Sequence, residues 1–251
     1  MEMIIDGNAM HRLPVEAGVP QGSPVSPIMF VIYTSGRIRR VEDYVSEAEG
    51  LSFVDNLGWE ATGSDVNHVV SILERCPAKI IEWASRRGLL FDTATTQPVL
   101  FTYSLGHRRH LRPKLTAKIR VGNMSIRFNP QATCWLGVWL DGHLTFQEHD
   151  NRCMRNARAA EAGLRTLTKT YSVVPRSVRA VQVPCVQAVA PYGSDLWWDP
   201  RRVGRRDDLQ LHLNRQARSI LDALPTTPRG ALMRESGLTP APVTLGSNGP
   251  A

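Results

Sequence analysis

Two short stretches of this sequence have residue types that could do chemistry. In Phe53-Val54-Asp55-Asn56 an acid and an amide follow an apolar pair, and a second apolar run, Leu57-Gly58-Trp59-Glu60-Ala61, comes directly after. The two runs read as the arms of a hairpin turning at Asp55-Asn56, because both turn residues tolerate positive φ. A carboxylate at such a tip projects into solvent, where it can meet a metal ion. The other stretch is Gly18-Val19-Pro20-Gln21-Gly22-Ser23-Pro24-Val25-Ser26-Pro27. A Gly/Pro/Ser loop entering a helix N-terminus offers backbone N–H groups and a positive dipole end to an anion or nucleotide. Gly22 and Ser23 leave room for close approach, and the Gln21 amide can both donate to and accept from a base or sugar edge. Taken singly, each has a plainer reading: Asp favours turns for its own reasons, and such loops are usually connections.

The elements that must position these residues can be read along the chain. Met3-Ile4-Ile5 and Leu13-Pro14-Val15 flank a turn at Asp6-Gly7-Asn8. Ser26 as N-cap with Pro27 at the first helical position predicts a helix over 27–35. Ser64 or Asp65 caps a second helix, with Val66, Val69, Val70, Leu73, Ile80, Ile81 and Ala84 on one face, kinked or split at Pro77 and closed by Gly88. From Pro98 the period becomes two: a strand at 99–103, a hairpin at 118–127 turning at Gly122-Asn123, and one buried strand at 134–140. Trp135 and Trp139 share a face of that strand as core residues. Helices follow at 146–171, from Ser177 through Pro184 and Pro191, and at 206–224; the tail from Gly237 reads as loose.

Composition narrows the class. The chain has 251 residues, 42% hydrophobic, and a net charge of +7. That is enough for a substantial core and too apolar for a disordered chain. No apolar run reaches the length of a membrane span, so no membrane partner is expected. Cys76, Cys134, Cys153 and Cys185 are scattered, which reads as reduced, buried thiols of an intracellular chain. His143 and His149 lack a third ligand at zinc spacing. Arginine supplies 26 of the 30 basic residues, and its planar fork suits phosphate.

Together the two stretches resemble a known family. Residues 18–27, G-V-P-Q-G-S-P-V-S-P, match motif B of the reverse transcriptases of non-LTR (LINE-type) retrotransposons over its whole length, and F-V-D-N at 53–56 corresponds to motif C, usually aromatic-x-Asp-Asp. Trp83 to Phe91 resembles the approach to motif D, Trp135 to Phe146 the passage from palm to thumb, and Tyr192-Gly193-Ser194-Asp195-Leu196-Trp197 a downstream signature. The resemblance implies an α+β fold: a partial polymerase palm over 1–145, an all-α thumb-like region over 146–236, and a loose tail over 237–251. It implies RNA-directed DNA polymerisation with Mg²⁺ held by aspartates, Asp55 among them. Gln21, Gly22, Ser23 and Pro24 would line the template and nucleotide site. The partners would be an RNA template, a DNA primer and dNTPs.

Three departures bear on that activity. The motif A aspartate is expected upstream of where this chain starts, and Asp6 reads as a turn residue. Asn56 stands where motif C has its second Asp. Thr95-Thr96-Gln97 replaces a K-T-E pattern whose Lys is a candidate proton donor. Hard cations need anionic oxygens, so the expectation is a truncated copy that is catalytically defective. Pro77, Pro184 and Pro191 inside helical patterns add to that expectation. The alternative is a non-catalytic nucleic-acid-binding remnant that keeps its Arg surfaces. Arg86, Arg87, Arg108, Arg109, Arg112, Lys114, Lys118 and Arg120 form one candidate backbone-tracking patch. Arg155, Arg158, Arg165 and Lys169 form another, along the first thumb helix.

Overall fold

The computed structural model describes residues 4–5, 8–9, 18–19, 22–102, 118–129, 131–171, 174–199 and 203–246. Helices and two-stranded antiparallel hairpins make up the fold, in keeping with the expected α+β class. The chain divides into two compact units, Met1–Pro98 with Pro113–Phe128, and Val99–Arg112 with Asn129–Ala251. The division therefore precedes the boundary expected near residue 145.

The first unit opens with β1 (Ile4–Ile5) paired to β2 (Asn8–Ala9). The return strand thus comes earlier than the expected 13–15, which lies outside the described residues. Helix α1 spans Ser26–Thr34, one residue earlier than expected. Val25 occupies the cap position without a side-chain bond; Ser23 instead organises the approach, its Oγ accepting from Val25 N at 3.3 Å. After α2 (Arg37–Glu42), β3 (Glu49–Phe53) and β4 (Asn56–Glu60) pair with Phe53 opposite Asn56. The turn is therefore Val54-Asp55, one residue before the expected Asp55-Asn56.

Helix α3 (Val66–Ser85) runs unbroken through Pro77. Its N-terminus is capped by Asp65, which accepts from His68 N at 3.0 Å. Proline removes one N–H and crowds the preceding turn, but Ile72, Cys76, Ile80, Trp83 and Ala84 bury one continuous face against Val41, Val45 and Ala48. Burying each large side chain contributes about 1.5–3 kcal/mol, enough to hold the helix together across the defect. Helix α2 approaches β3 closely at Gly50, where a Cβ would come within 2.5 Å of Ile38 Cγ2. The expected hairpin at 118–127 forms as β5 (Lys118–Val121) and β6 (Met124–Arg127).

In the second unit, residues 99–102 lie beside a hairpin without forming the expected strand; Thr102 N donates to Gly142 O at 3.0 Å. The single strand expected over 134–140 is instead a hairpin, β7 (Ala132–Trp135) and β8 (Val138–Asp141). Leu136 and Gly137 both take positive φ, 48° and 82°. An apolar Leu in the turn hid it from the sequence pattern. Trp135 pairs with Val138 and Cys134 with Trp139, so the two tryptophans lie on opposite faces. Cys134 and Cys185 are exposed, whereas Cys76 and Cys153 are buried as expected.

Helix α4 (Gln147–Tyr171) matches its expectation closely. Helix α5 (Pro175–Gln182) then widens into a π-helical turn, Val183–Gln187, which accommodates Pro184; Pro191 falls in a turn. Short α6 (Ser194–Trp197), α7 (Val203–Leu221), α8 (Arg229–Ser236) and α9 (Ala241–Gly246) complete the unit. Met154, Ala157, Trp197, Leu209 and Leu213 share one core. The stretch from Gly237 is not loose over its described part. Leu238, Ala241 and Leu245 are buried, and Ala241 N donates to Gln210 Oε1 at 2.9 Å.

The 192–197 signature has a structural reason. Tyr192 O accepts from Trp197 Nε1 at 3.0 Å and from His149 Nε2 at 2.8 Å. His149 Nδ1 accepts from Trp139 N at 3.3 Å, which leaves Nε2 as the ring nitrogen that donates to Tyr192 O. Tyr192 Oη donates to Leu136 O at 3.1 Å. Gly193 has φ 67° and lies where a Cβ would sit 3.3 Å from Val138 Cγ2. One short motif thereby fastens hairpin β7–β8, α4 and α6 together.

Candidate functional site

The β3–β4 tip is held from behind by an arginine that sequence reading missed. Arg37, in the first turn of α2, is 6% exposed. Its guanidinium donates to Val54 O at 2.5 Å and to Ser52 Oγ. Burial pushes its pKa below the ordinary arginine value, and the nearby Asp55 charge works the other way. Arg37 also lies 5.9 Å over the Phe30 ring of α1. The helix that follows the Gly/Pro/Ser loop and the hairpin tip are thus connected through one guanidinium. A single Arg after a Gly carries no sequence signal for that role.

At the tip, Val54 has φ 52°. A β-branched residue in the left-handed region is strained by on the order of 1–3 kcal/mol. Asp55 and Asn56 are both exposed. The Asn56 amide donates to Asp55 Oδ1 at 3.4 Å, so it turns a proton donor, not an oxygen, toward that carboxylate. In the loop, Gly22 has φ 87° with open space where a Cβ would sit. Ser23 is half-buried and Pro24 exposed, while Gln21 lies outside the described residues.

The donor set at the tip does not suit a pair of divalent ions. It offers one carboxylate, an amide hydrogen-bonded to that carboxylate, and behind them a guanidinium whose charge acts on Asp55. Among the described residues no group of three His, Cys, Asp or Glu could hold a metal ion. Hard cations take several anionic or carbonyl oxygens.

The expected basic patches fall only partly among the described residues. Arg108, Arg109, Arg112 and Lys114 lie outside the described residues. Arg120 is engaged with Glu74, its backbone N–H donating at 2.9 Å. On α4, Arg155, Arg158 and Arg165 are exposed; the Lys169 side chain is not among those described. Beneath the stripe Glu161 Oε2 meets His212 Nδ1 of α7 at 3.2 Å. Burial raises the Glu161 carboxyl, while Arg215, Arg165 and Arg158 pull it down. Burial, then Arg158 and Arg215, push His212 down to about 4. Arg215 therefore joins the α4 stripe from a second helix, a contribution visible only once α4 and α7 are packed.

Among the described residues no helix is long and apolar enough to cross a membrane. No family model matches the chain, and no solved structure matches it. Two known proteins do. The chain is 26% identical over 223 residues, 87% of its length, to the probable RNA-directed DNA polymerase from transposon BS of Drosophila melanogaster. It is 25% identical over 186 residues, 73% of its length, to the corresponding protein of transposon X-element from the same organism. It spans only 24% and 19% of those proteins. The chain is thus similar over most of its length to two proteins named as probable RNA-directed DNA polymerases of transposons, in line with the resemblance carried by its residues 18–27 and 53–56.

Proposed function

We propose that this chain is a segment of a non-LTR transposon reverse transcriptase that grips an RNA template–DNA primer duplex and does not itself transfer nucleotides. In this reading the first unit is a part of the polymerase palm and the second a thumb-like region. Residues 22–24, with Gln21, face template and nucleotide, and Arg155 and Arg158 face the duplex backbone. The observation that carries the reading is the β3–β4 tip: a motif C hairpin in form, with one carboxylate, Asp55, and Asn56 beside it.

Divalent metal, Mg²⁺ by resemblance, would polarise a primer hydroxyl and stabilise the leaving pyrophosphate in such enzymes. The tip residues do not fit that task, so no step is routed through them. What this chain's residues supply is binding: exposed arginines on α4 and α7 over half-buried Glu161 and buried His212. Removing one transition-state contact commonly costs on the order of 10²–10³ in rate, and losing an anionic metal ligand is a larger change.

Two measurements on the purified chain test this. Affinity for an RNA–DNA duplex should fall steeply with salt; an affinity independent of salt would refute the grip. Primer extension with Mg²⁺ and dNTPs should be absent, and extension abolished by Asp55→Ala would refute the inactivity. The second reading, a remnant with no polymerase capacity left, is favoured by the guanidinium seated behind the tip. Asn56→Asp tests the second reading: extension appearing with the second carboxylate would refute a remnant with no polymerase capacity left.

A further inference from the structure

Within the first unit a cavity of about 370 Å³ opens between the start of α2 and the C-terminal end of α3. Arg40 reaches it from α2, and Lys79, Arg86 and Arg87 reach it from α3 and the residues just beyond. Glu82 is the acid in its lining, and both of its oxygens are occupied. Lys79 Nζ lies 3.2 Å from Oε2, and an Arg86 guanidinium nitrogen lies 2.6 Å from Oε1. Four cations thus line the cavity against one carboxylate, which pairs with two of them, leaving an excess of three positive charges.

Aromatic faces hold two of the four in place. The Arg87 guanidinium sits 4.4 Å over the Trp83 ring, and Lys79 Nζ sits 4.1 Å over Tyr44. Stacking fixes a cation without consuming its N–H donors. Tyr33 Oη of α1 donates to Arg87 O at 2.5 Å, tying the far rim down. Gly36 and Ser35 form the opposite wall, and Gly36 (φ 77°) leaves it bare of side chain. The field in the cavity is positive enough that Lys79, through its hydrogen bond and charge, and then Arg86 and Arg40 hold the Glu82 carboxyl below its usual range.

We propose that this cavity is a phosphate-binding site, filled by a backbone phosphodiester of the bound nucleic acid. Arginine forks match phosphate oxygens bidentately, and a compact lysine adds a point charge. The space holds one phosphodiester with part of its sugar. The site regroups what sequence order separated: Arg86 and Arg87 work with Arg40 and Lys79, while Arg120 is drawn off to Glu74. The source of the phosphate rests on the nucleic-acid reading above; the cavity's affinity for phosphate does not.

The test uses the purified chain and R40Q/R87Q, which leaves the Glu82 pairs intact, with Arg40→Gln alone guarding against loss of the Trp83 stack. Duplex binding is read by anisotropy between about 50 and 200 mM salt. Inorganic phosphate is titrated separately, at matched ionic strength, against the thermal unfolding midpoint. The expected result is a loss of duplex affinity on the order of tenfold and a salt slope shallower by about one for each lost contact. Phosphate should raise the parent's midpoint and not the variant's. If the parent grips duplex and both variants grip it equally with the same slope, the cavity is not a phosphate site and the nucleic-acid reading survives. If the parent fails to bind duplex, that reading fails, and the phosphate titration decides: a midpoint rise confined to the parent upholds a free-phosphate site, and equal or absent rises overturn it.

Discussion

The Arg37 guanidinium donates to the Val54 carbonyl at 2.5 Å, so the β3–β4 tip hangs from the first turn of α2. Arg37 is 6% exposed, and a buried guanidinium is costly unless its donors are used. Arg37→Met should lower stability by about 3 kcal/mol, from lost charge-assisted bonds and an orphaned carbonyl. Arg37→Lys, with a compact ammonium in place of the fork, should recover part of it. Urea midpoints and amide exchange over 52–57 read both; unchanged exchange would mean the tip does not depend on the clamp.

Val54 carries strain that glycine would not. At φ 52° and 44% exposed, it contributes little packing to offset that cost. Val54→Gly should raise the urea midpoint, with a gain of about 1 kcal/mol. A fall would show that the Val54 side chain supports the turn.

Asp141 gathers the turn into α4. Its oxygens accept from His143 N at 3.1 Å, Thr145 N at 3.1 Å, Thr145 Oγ1 at 3.0 Å and Phe146 N at 2.8 Å. Burial pushes its pKa up, but the bonds from Thr145, His143 and Phe146 outweigh burial and hold the carboxyl below its usual value. Its contribution is therefore complete above pH 3.8 and lost as pH falls through the lower folded value. Asp141→Asn replaces one accepting oxygen by a donor and should cost about 2 kcal/mol at neutral pH. Denaturant unfolding followed by tryptophan fluorescence tests it, and an unchanged midpoint would discount the turn.

Acid should weaken the α4–α7 packing. His212 titrates in the folded chain at about 4, against 6.5 ordinarily. Above 6.5 it is neutral folded or unfolded. Below that, the unfolded chain takes up a proton that the folded one refuses, so stability falls by up to about 1.4 kcal/mol per pH unit. Glu161 has the opposite sign: its raised carboxyl costs stability at neutral pH and recovers it on protonation. The loss therefore sets in as pH falls below 6.5 and is offset as Glu161 takes up its proton. Beside the pair stand Gln216 and the arginines Arg158, Arg165 and Arg215. Urea midpoints from pH 7 to 4 should fall more for the parent than for His212→Gln; parallel curves would reject the assignment.

Much of the local structure was legible because it depends on neighbours in sequence. The hairpin at 53–56, the Asp65 cap, the hairpin at 118–127 and α4 all follow from period and end signals that act within a few residues. Errors came where a tertiary term outweighed a local one. Leu136 looked like strand interior but takes φ 48°, because Gly137 completes the turn and Tyr192 secures it. Pro77 looked like a break, yet α3 continues because its apolar face is packed on both sides of the defect. The tail from Gly237 looked loose, yet Leu238, Ala241 and Leu245 find core positions that no local pattern announces.

The candidate site divides the same way. The sequence by itself determined the two motif blocks, the charge surplus and the absence of a second acid at position 56, since these are properties of residue type and short spacing. Only the tertiary structure decided which cations act together. Arg37 lies behind the tip, Arg40 joins Arg86 and Arg87 in one cavity, and Arg215 joins Arg158 over a half-buried acid. Electrostatic and hydrogen-bond energies depend on distance in space and on burial. Arg40 and Arg87 are far apart along the chain, and only the packing of α2 on α3 brings them to one cavity.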